Sequence, residues 1–104
     1  MITFVNTFEV HGTVAEFEEA FEKTSGFFSA RPGFLNHRLL RHVDRPAQYV
    51  NVAEWESREH FEQALKHPDF VPHAKALRAL STSSPNLYDT VLERRAAAEG
   101  SPRP

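Results

Sequence analysis

Cysteine is absent from the 104 residues, and with it go disulfides, thiolate-held zinc or iron–sulfur centres and thiol nucleophiles. Any redox chemistry must draw on substrate, oxygen or a bound cofactor. A basic tract is also missing: 12 Lys and Arg face 14 Asp and Glu, for a net charge of −2 at neutral pH. Nucleic acids and anionic membranes need a basic stripe or patch, so neither is expected as a partner. No apolar run reaches the length of a bilayer span, and the opening MITFVNTFEV alternates polar with apolar residues instead of forming the core of a signal peptide. A soluble, cytoplasmic protein is the expectation. There is no GxGxxG, P-loop or GxSxG, which leaves nicotinamide, flavin, nucleotide and serine-hydrolase chemistry without support. The histidines form no metal pattern: His37 and His42 are five apart on a strand and face opposite ways, and His60 and His67 lie on either side of a helix. No metal is expected.

Aromatic rings are plentiful. Nine Phe, two Tyr and one Trp suit a core built from large rings or a pocket for a flat apolar ligand. A domain of this length buries only roughly 60–68% of its unfolded surface, enough for one core but not for a deep enclosed pocket as well. A sizeable site therefore needs walls from a partner.

Ile2, Phe4, Asn6, Phe8 and Val10 alternate with Thr3, Val5, Thr7 and Glu9, which predicts a strand whose apolar face Asn6 interrupts. Thr13 followed by Glu16 is a capping box, and Val14, Phe17, Phe21 and Phe28 form the apolar stripe of a helix ending near Arg31-Pro32-Gly33. Phe34 to Val43 reads as a second strand with Leu35, His37, Leu39 and Arg41 on one face. Gln48 to Glu56 reads as a third, with Tyr49, Asn51, Ala53 and Trp55 on one face and Val50 and Val52 on the other. Ser57 opens a helix broken at His67-Pro68, and Asp69 restarts it with Phe70, His73, Ala74, Leu77 and Leu80. Ser81 to Pro85 reads as a loop and Asn86 to Glu93 as a last strand. The Ala-, Gly-, Pro- and Ser-rich residues 94–104 read as a disordered tail after a single domain of residues 1–93. The order β-α-β-β-α-α-β is that of a ferredoxin-like α+β fold, a four-stranded antiparallel sheet with helices on one face. The bare face carries Val50 and Val52, so a sheet-to-sheet homodimer is expected.

The segments FVNTFEV, PGFLNHRLLR, YVNVAEWES, HPDFVPHAKAL and NLYDTVLE, taken in order, resemble the antibiotic biosynthesis monooxygenase domain family, the dimeric α/β-barrel group, over residues 1–93. This resemblance implies a dimer. It also implies one of several activities: cofactor-free oxygenation of aromatic polyketides, haem degradation or quinol oxidation. Cofactor-free anthrone oxygenases carry N-x-x-x-W, matched here by Asn51 and Trp55; their tyrosine six residues further on is Phe61, and only Lys75 or Arg78 lies near their later arginine. In the haem-degrading branch, Asn6 and His73 match an asparagine and the iron ligand, while the helical tryptophan position holds Ala64.

The residues themselves support the same chemistry. A buried amide on an apolar strand costs free energy unless it has partners, and Asn51 donating to a phenolate or carbonyl oxygen would stabilise a carbanion able to reduce oxygen. Trp55, on the same face roughly 13 Å further along at ~3.3 Å per residue, would stack or donate its N–H. His73 is the candidate base, since an imidazole accepts and releases protons near neutrality. These three are the expected catalytic residues, and Asn6, Tyr49, Phe61 and His37 the expected substrate contacts. The expected function is a cofactor-independent monooxygenase acting on an electron-rich aromatic, such as an anthrone or hydroquinone, with oxygen. The alternatives are haem binding or degradation, non-oxidative ligand binding, or polyketide cyclisation.

Overall fold

A computed structural model describes residues 1–97. Its elements are β1 (Ile2–Val10), α1 (Val14–Ser29), β2 (Phe34–Arg41), β3 (Gln48–Trp55), α2 (Arg58–Lys66), α3 (Phe70–Leu80) and β4 (Ser81–Asp89). The strands form one antiparallel sheet in the order β2-β3-β1-β4, as the element order predicts for the ferredoxin-like arrangement. None of the described helices is long and apolar enough to cross a membrane.

The first two helices begin where the sequence offers a cap. Thr13 Oγ1 accepts from the Glu16 backbone N–H at 3.2 Å and donates to Glu16 Oε1 at 3.1 Å, which satisfies donors that the first turn leaves free. Ser57 caps α2 by accepting from the His60 N–H. The α2–α3 break falls at His67, whose backbone is extended because the ring of Pro68 disfavours helix in the residue before it.

Two clusters fill the space between helices and sheet. Phe8, Phe17, Phe21, Tyr49 and Leu77 pack at one end, and Ile2, Ala53, Trp55, Phe61 and Ala64 at the other. Burial of a large apolar side chain such as Phe17 contributes roughly 1.5–3 kcal/mol. Among the described residues no helix covers the opposite sheet face. Register places Val5, Val52 and Arg38 side by side there, with Thr7, Val50 and Leu40 in the next row.

Three boundaries differ from the sequence reading. Ser81–Pro85 is strand and not loop, and β4 ends at Asp89 and not Glu93. Ser81 is buried and donates to the Leu77 carbonyl, while Thr82, Ser83 and Ser84 are solvent-exposed on β4, an edge strand and the position where a proline without an N–H, Pro85, is tolerated. β2 stops at Arg41. Within it the pairing slips between Phe34 and Asn36: Leu35 is the extra residue of a bulge and turns to solvent, so Phe34 joins the His37 face that simple alternation assigns to Leu35. Residues 92–97 have no regular structure; the rest of the expected tail lies outside the described residues.

Candidate active site

The sheet floor and the helices enclose an aromatic-walled cleft. Asn51, Ala53 and Trp55 come from β3, His37 and Phe34 from β2, Phe4 from β1, Phe21, Ser25 and Phe28 from α1, and Phe61 from α2. It spans about 300 Å³ with its open mouth included, of which the centre of a water-sized sphere can reach about 20 Å³, room for about one water. Alternation along β3 sends Asn51 and Trp55 to this side, as the sequence predicts.

Trp55 is 1% exposed and sits edge-on to Phe28, Phe34 and Phe61 at centroid distances of 5.8, 5.3 and 5.7 Å. Its ring is packed on three sides, yet its buried Nε1–H has no hydrogen-bond partner. A buried donor without an acceptor costs about 1–3 kcal/mol.

Asn51, 8% exposed, accepts at Oδ1 from His37 Nδ1 at 3.0 Å. In this orientation the amide oxygen can only accept, so the contact is a hydrogen bond when His37 Nδ1 carries the ring hydrogen. The Asn51 Nδ2 donors have no partner among the described residues. On its far side, His37 Nε2 meets Ser25 Oγ at 2.6 Å, and the rings of Phe21 and Phe34 flank the imidazole at 5.9 Å each. Ser25, His37 and Asn51 thus form one chain of hydrogen bonds along the cleft wall.

The other sequence candidates are dispersed. Phe61 lines the cleft. Asn6 lies directly opposite Asn51 in the β1–β3 pairing and lines an adjoining cleft with Phe8, Phe70, Arg78 and Ser83, where its buried Oδ1 lacks a partner. Tyr49 belongs to the other core cluster, its ring tilted against Phe17 at a centroid distance of 4.9 Å and its hydroxyl donating to Glu18 Oε2 at 2.5 Å. Burial first, and then the bond to Glu18, raises the Tyr49 pKa above the usual tyrosine value. His73 does not line the Asn51 cleft: it is half-buried on α3 against the Phe27 ring, 5.6 Å away. Ala64 is packed into the core beside Trp55. Among the described residues no three His, Asp or Glu side chains converge on a metal-sized space.

Sequence reading missed Ser25, Phe28 and Phe34. Ser25 had a signal: it falls four residues after Phe21 and three before Phe28, a polar residue on the apolar stripe of α1. Phe34 had none, since its face depends on the bulge.

Fold and cleft define a ferredoxin-like α+β domain with polar donors set into an aromatic pocket between sheet and helices. The chain belongs to the antibiotic biosynthesis monooxygenase family, whose profile matches residues 1–76. It is 53% identical over 87 residues to deoxynogalonate monooxygenase of Streptomyces nogalater, covering 84% of this chain and 74% of that one. The crystal structure of SnoaB, a cofactor-independent oxygenase from Streptomyces nogalater, superposes with a TM-score of 0.86 at 49% identity, covering 94% of this chain and 97% of that one. A mycobilin-producing heme oxygenase of Mycobacterium tuberculosis is 35% identical over 71 residues, covering 67% of this chain and 68% of that one.

Proposed function

We propose that this chain is a cofactor-independent monooxygenase that oxidises an electron-rich, polyketide-like aromatic of the anthrone or hydroquinone type with molecular oxygen. One observation carries the reading: two N–H donors without partners, on Asn51 and Trp55, line one apolar cleft. The relatives named as oxygenases support the same reaction class.

In the anthrone case the ring methylene loses a proton and its electrons delocalise onto the carbonyl oxygen. Asn51 Nδ2–H is the donor for that oxyanion; Trp55, roughly 13 Å further along β3, gives its Nε1–H to a second oxygen of the same delocalised anion, and in a water-poor cleft such donors count for more than in solution. The carbanion passes an electron to oxygen, the radical pair combines to a peroxide anion, and protonation followed by loss of water leaves a carbonyl. The balance is methylene plus O₂ to carbonyl plus H₂O, with every electron supplied by the substrate. His37 and not His73 lines the cleft, but its two nitrogens are engaged by Asn51 and Ser25, so it orders Asn51 and the methylene proton leaves to solvent at the open mouth. Asn6 is a polar contact at the adjoining end, and Phe61 a wall. Fused rings exceed the enclosed space, so admitting them requires the cleft to widen, and the half-buried Phe28 and Phe34 are walls at its mouth.

The bare sheet face takes a second copy of the chain in this reading. Val5, Val50 and Val52 centre it and Leu40, 38% exposed, extends it, a surface more apolar than a solvated sheet carries.

The test is oxygen uptake by dialysed protein given a tricyclic anthrone. Protein-dependent uptake with quinone formation, reduced in Asn51→Ala and Trp55→Phe, is expected. Uptake no faster than the spontaneous rate would overturn the reading.

A further inference from the structure

The Asn51 amide can sit in two ways, and only one places a donor toward substrate. With Oδ1 on His37 the free end is NH₂, which stabilises an oxyanion. Flipped, Nδ2–H would donate to a bare His37 Nδ1 and the carbonyl oxygen would face the substrate oxygen, repelling the charge that develops there. The choice follows from the His37 tautomer, because neutral imidazole has one N–H and one lone pair.

The tautomer is settled at the other end of the chain of bonds. Ser25 Oγ lies 2.6 Å from His37 Nε2 and has no other hydrogen-bond partner among the described residues. Its neighbour Thr24 shows the alternative, donating back to the Ala20 carbonyl within α1 at 3.0 Å. Ser25 makes no such bond, so His37 Nε2 is the acceptor on hand for its proton. Were Nε2 itself protonated in a neutral ring, the half-buried hydroxyl hydrogen would be left without a partner.

We infer that Ser25 is a positioning residue: by donating to His37 Nε2 it holds the imidazole in the Nδ1–H tautomer, which pins Asn51 Oδ1 and presents Asn51 Nδ2 to the substrate. Ser25 acts through two other residues and need not touch the reacting atoms. The orientation also survives protonation of His37, since the Nδ1–H is present in both charge states and the Ser25 oxygen can then accept from Nε2. The inference rests on the oxygenase reading for its consequence, but not for the tautomer.

Two-bond proton–nitrogen correlation NMR on protein with nitrogen-labelled histidine, assigned with His37→Gln, reads the tautomer directly. The wild type is expected to show Nδ1–H at His37; Nε2–H there overturns the inference. Ser25→Ala is expected to give a mixture of tautomers. Its kcat for anthrone oxidation is expected to fall about five- to tenfold, the size of one neutral hydrogen bond, with little change in KM. Ser25→Thr keeps the hydroxyl and restores both. An unchanged tautomer in Ser25→Ala, with or without a loss of rate, counts against the assignment. If Ser25→Ala fails to fold, the wild-type tautomer and the Ser25→Thr rate decide. If the wild type takes up no oxygen, the oxygenase reading falls while the spectra still judge the role of Ser25.

Discussion

Trp55→Phe separates a ring kept for packing from one kept for its N–H. Two effects on stability oppose each other. Trimming indole to phenyl inside the Phe28, Phe34 and Phe61 contacts loses about 1–2 kcal/mol, a fraction of the ~3–5 kcal/mol for full truncation of such a ring. Removing a buried donor that has no partner returns about 1–3 kcal/mol. The net change is expected within about 1 kcal/mol of zero, measured by urea unfolding followed by circular dichroism. Activity follows a different rule: one lost oxyanion donor lowers kcat by about 10²–10³, read as oxygen uptake with an anthrone. A variant as stable as the wild type and a hundredfold slower is therefore expected. A rate within threefold of the wild type, or destabilisation beyond about 3 kcal/mol, would refute the reasoning, because the first means that the indole N–H takes no part in the reaction and the second that the ring is kept for packing.

Other outcomes follow from the same geometry. Asn51→Ala is expected to slow oxidation by about 10² or more and to cost about 1–3 kcal/mol in unfolding experiments, since His37 Nδ1–H loses its acceptor. Gly33 has φ +83°, and a Cβ there would lie 2.3 Å from His60 Cγ and 2.4 Å from His60 Cβ; Gly33→Ala is expected to cost at least the roughly 1–2 kcal/mol of left-handed backbone, seen as a lower melting temperature that His60→Gly relieves more than His60→Ala, which keeps the Cβ. Since the Tyr49 pKa is raised in the folded protein by burial and the Glu18 bond, its contribution to stability is fully present below the unfolded tyrosine pKa of ~10 and is lost as pH rises through the folded value. Unfolding free energies measured across that alkaline range are expected to fall for the wild type and to fall less for Tyr49→Phe. Val52→Glu on the bare sheet face is expected to convert a dimer to monomer in analytical ultracentrifugation.

Much of the fold is legible in the sequence because its signals are local. Alternation in β1 and β3, the Thr13–Glu16 cap and the His67-Pro68 break each depend on a few neighbouring residues, and the structure has them in place. Asn51 and Trp55 share the cleft for the same reason, the fixed period of a strand. What the sequence hides depends on three dimensions. Ser81–Pro85 looks like a loop by composition, and only its place beside β1 makes it a strand. The bulge at Leu35 reverses the phase of β2. Tyr49 and Asn51 share a strand face, yet α1 covers the former with Phe17 and Glu18 and leaves the latter open to the cleft. His73 has the right chemistry, but the packing of α3 turns it toward Phe27.

β3 has almost no neutral positions. Tyr49, Asn51, Ala53 and Trp55 are committed inward and Val50 and Val52 outward, so a change at any of these six residues disturbs core, cleft or the outer sheet surface. A protein of this build that adapts to a new substrate must do so elsewhere. The available places are Phe28 and Phe34, which wall the cleft, are only half-buried and sit at the end of α1 and the start of β2. Exchanging these two rings for smaller or differently shaped side chains re-cuts the mouth while the donors on β3 stay where they are. In the oxygenase reading proposed above, the scaffold therefore separates the donors on β3, which are fixed, from the rings that shape the mouth, which have more room to diverge.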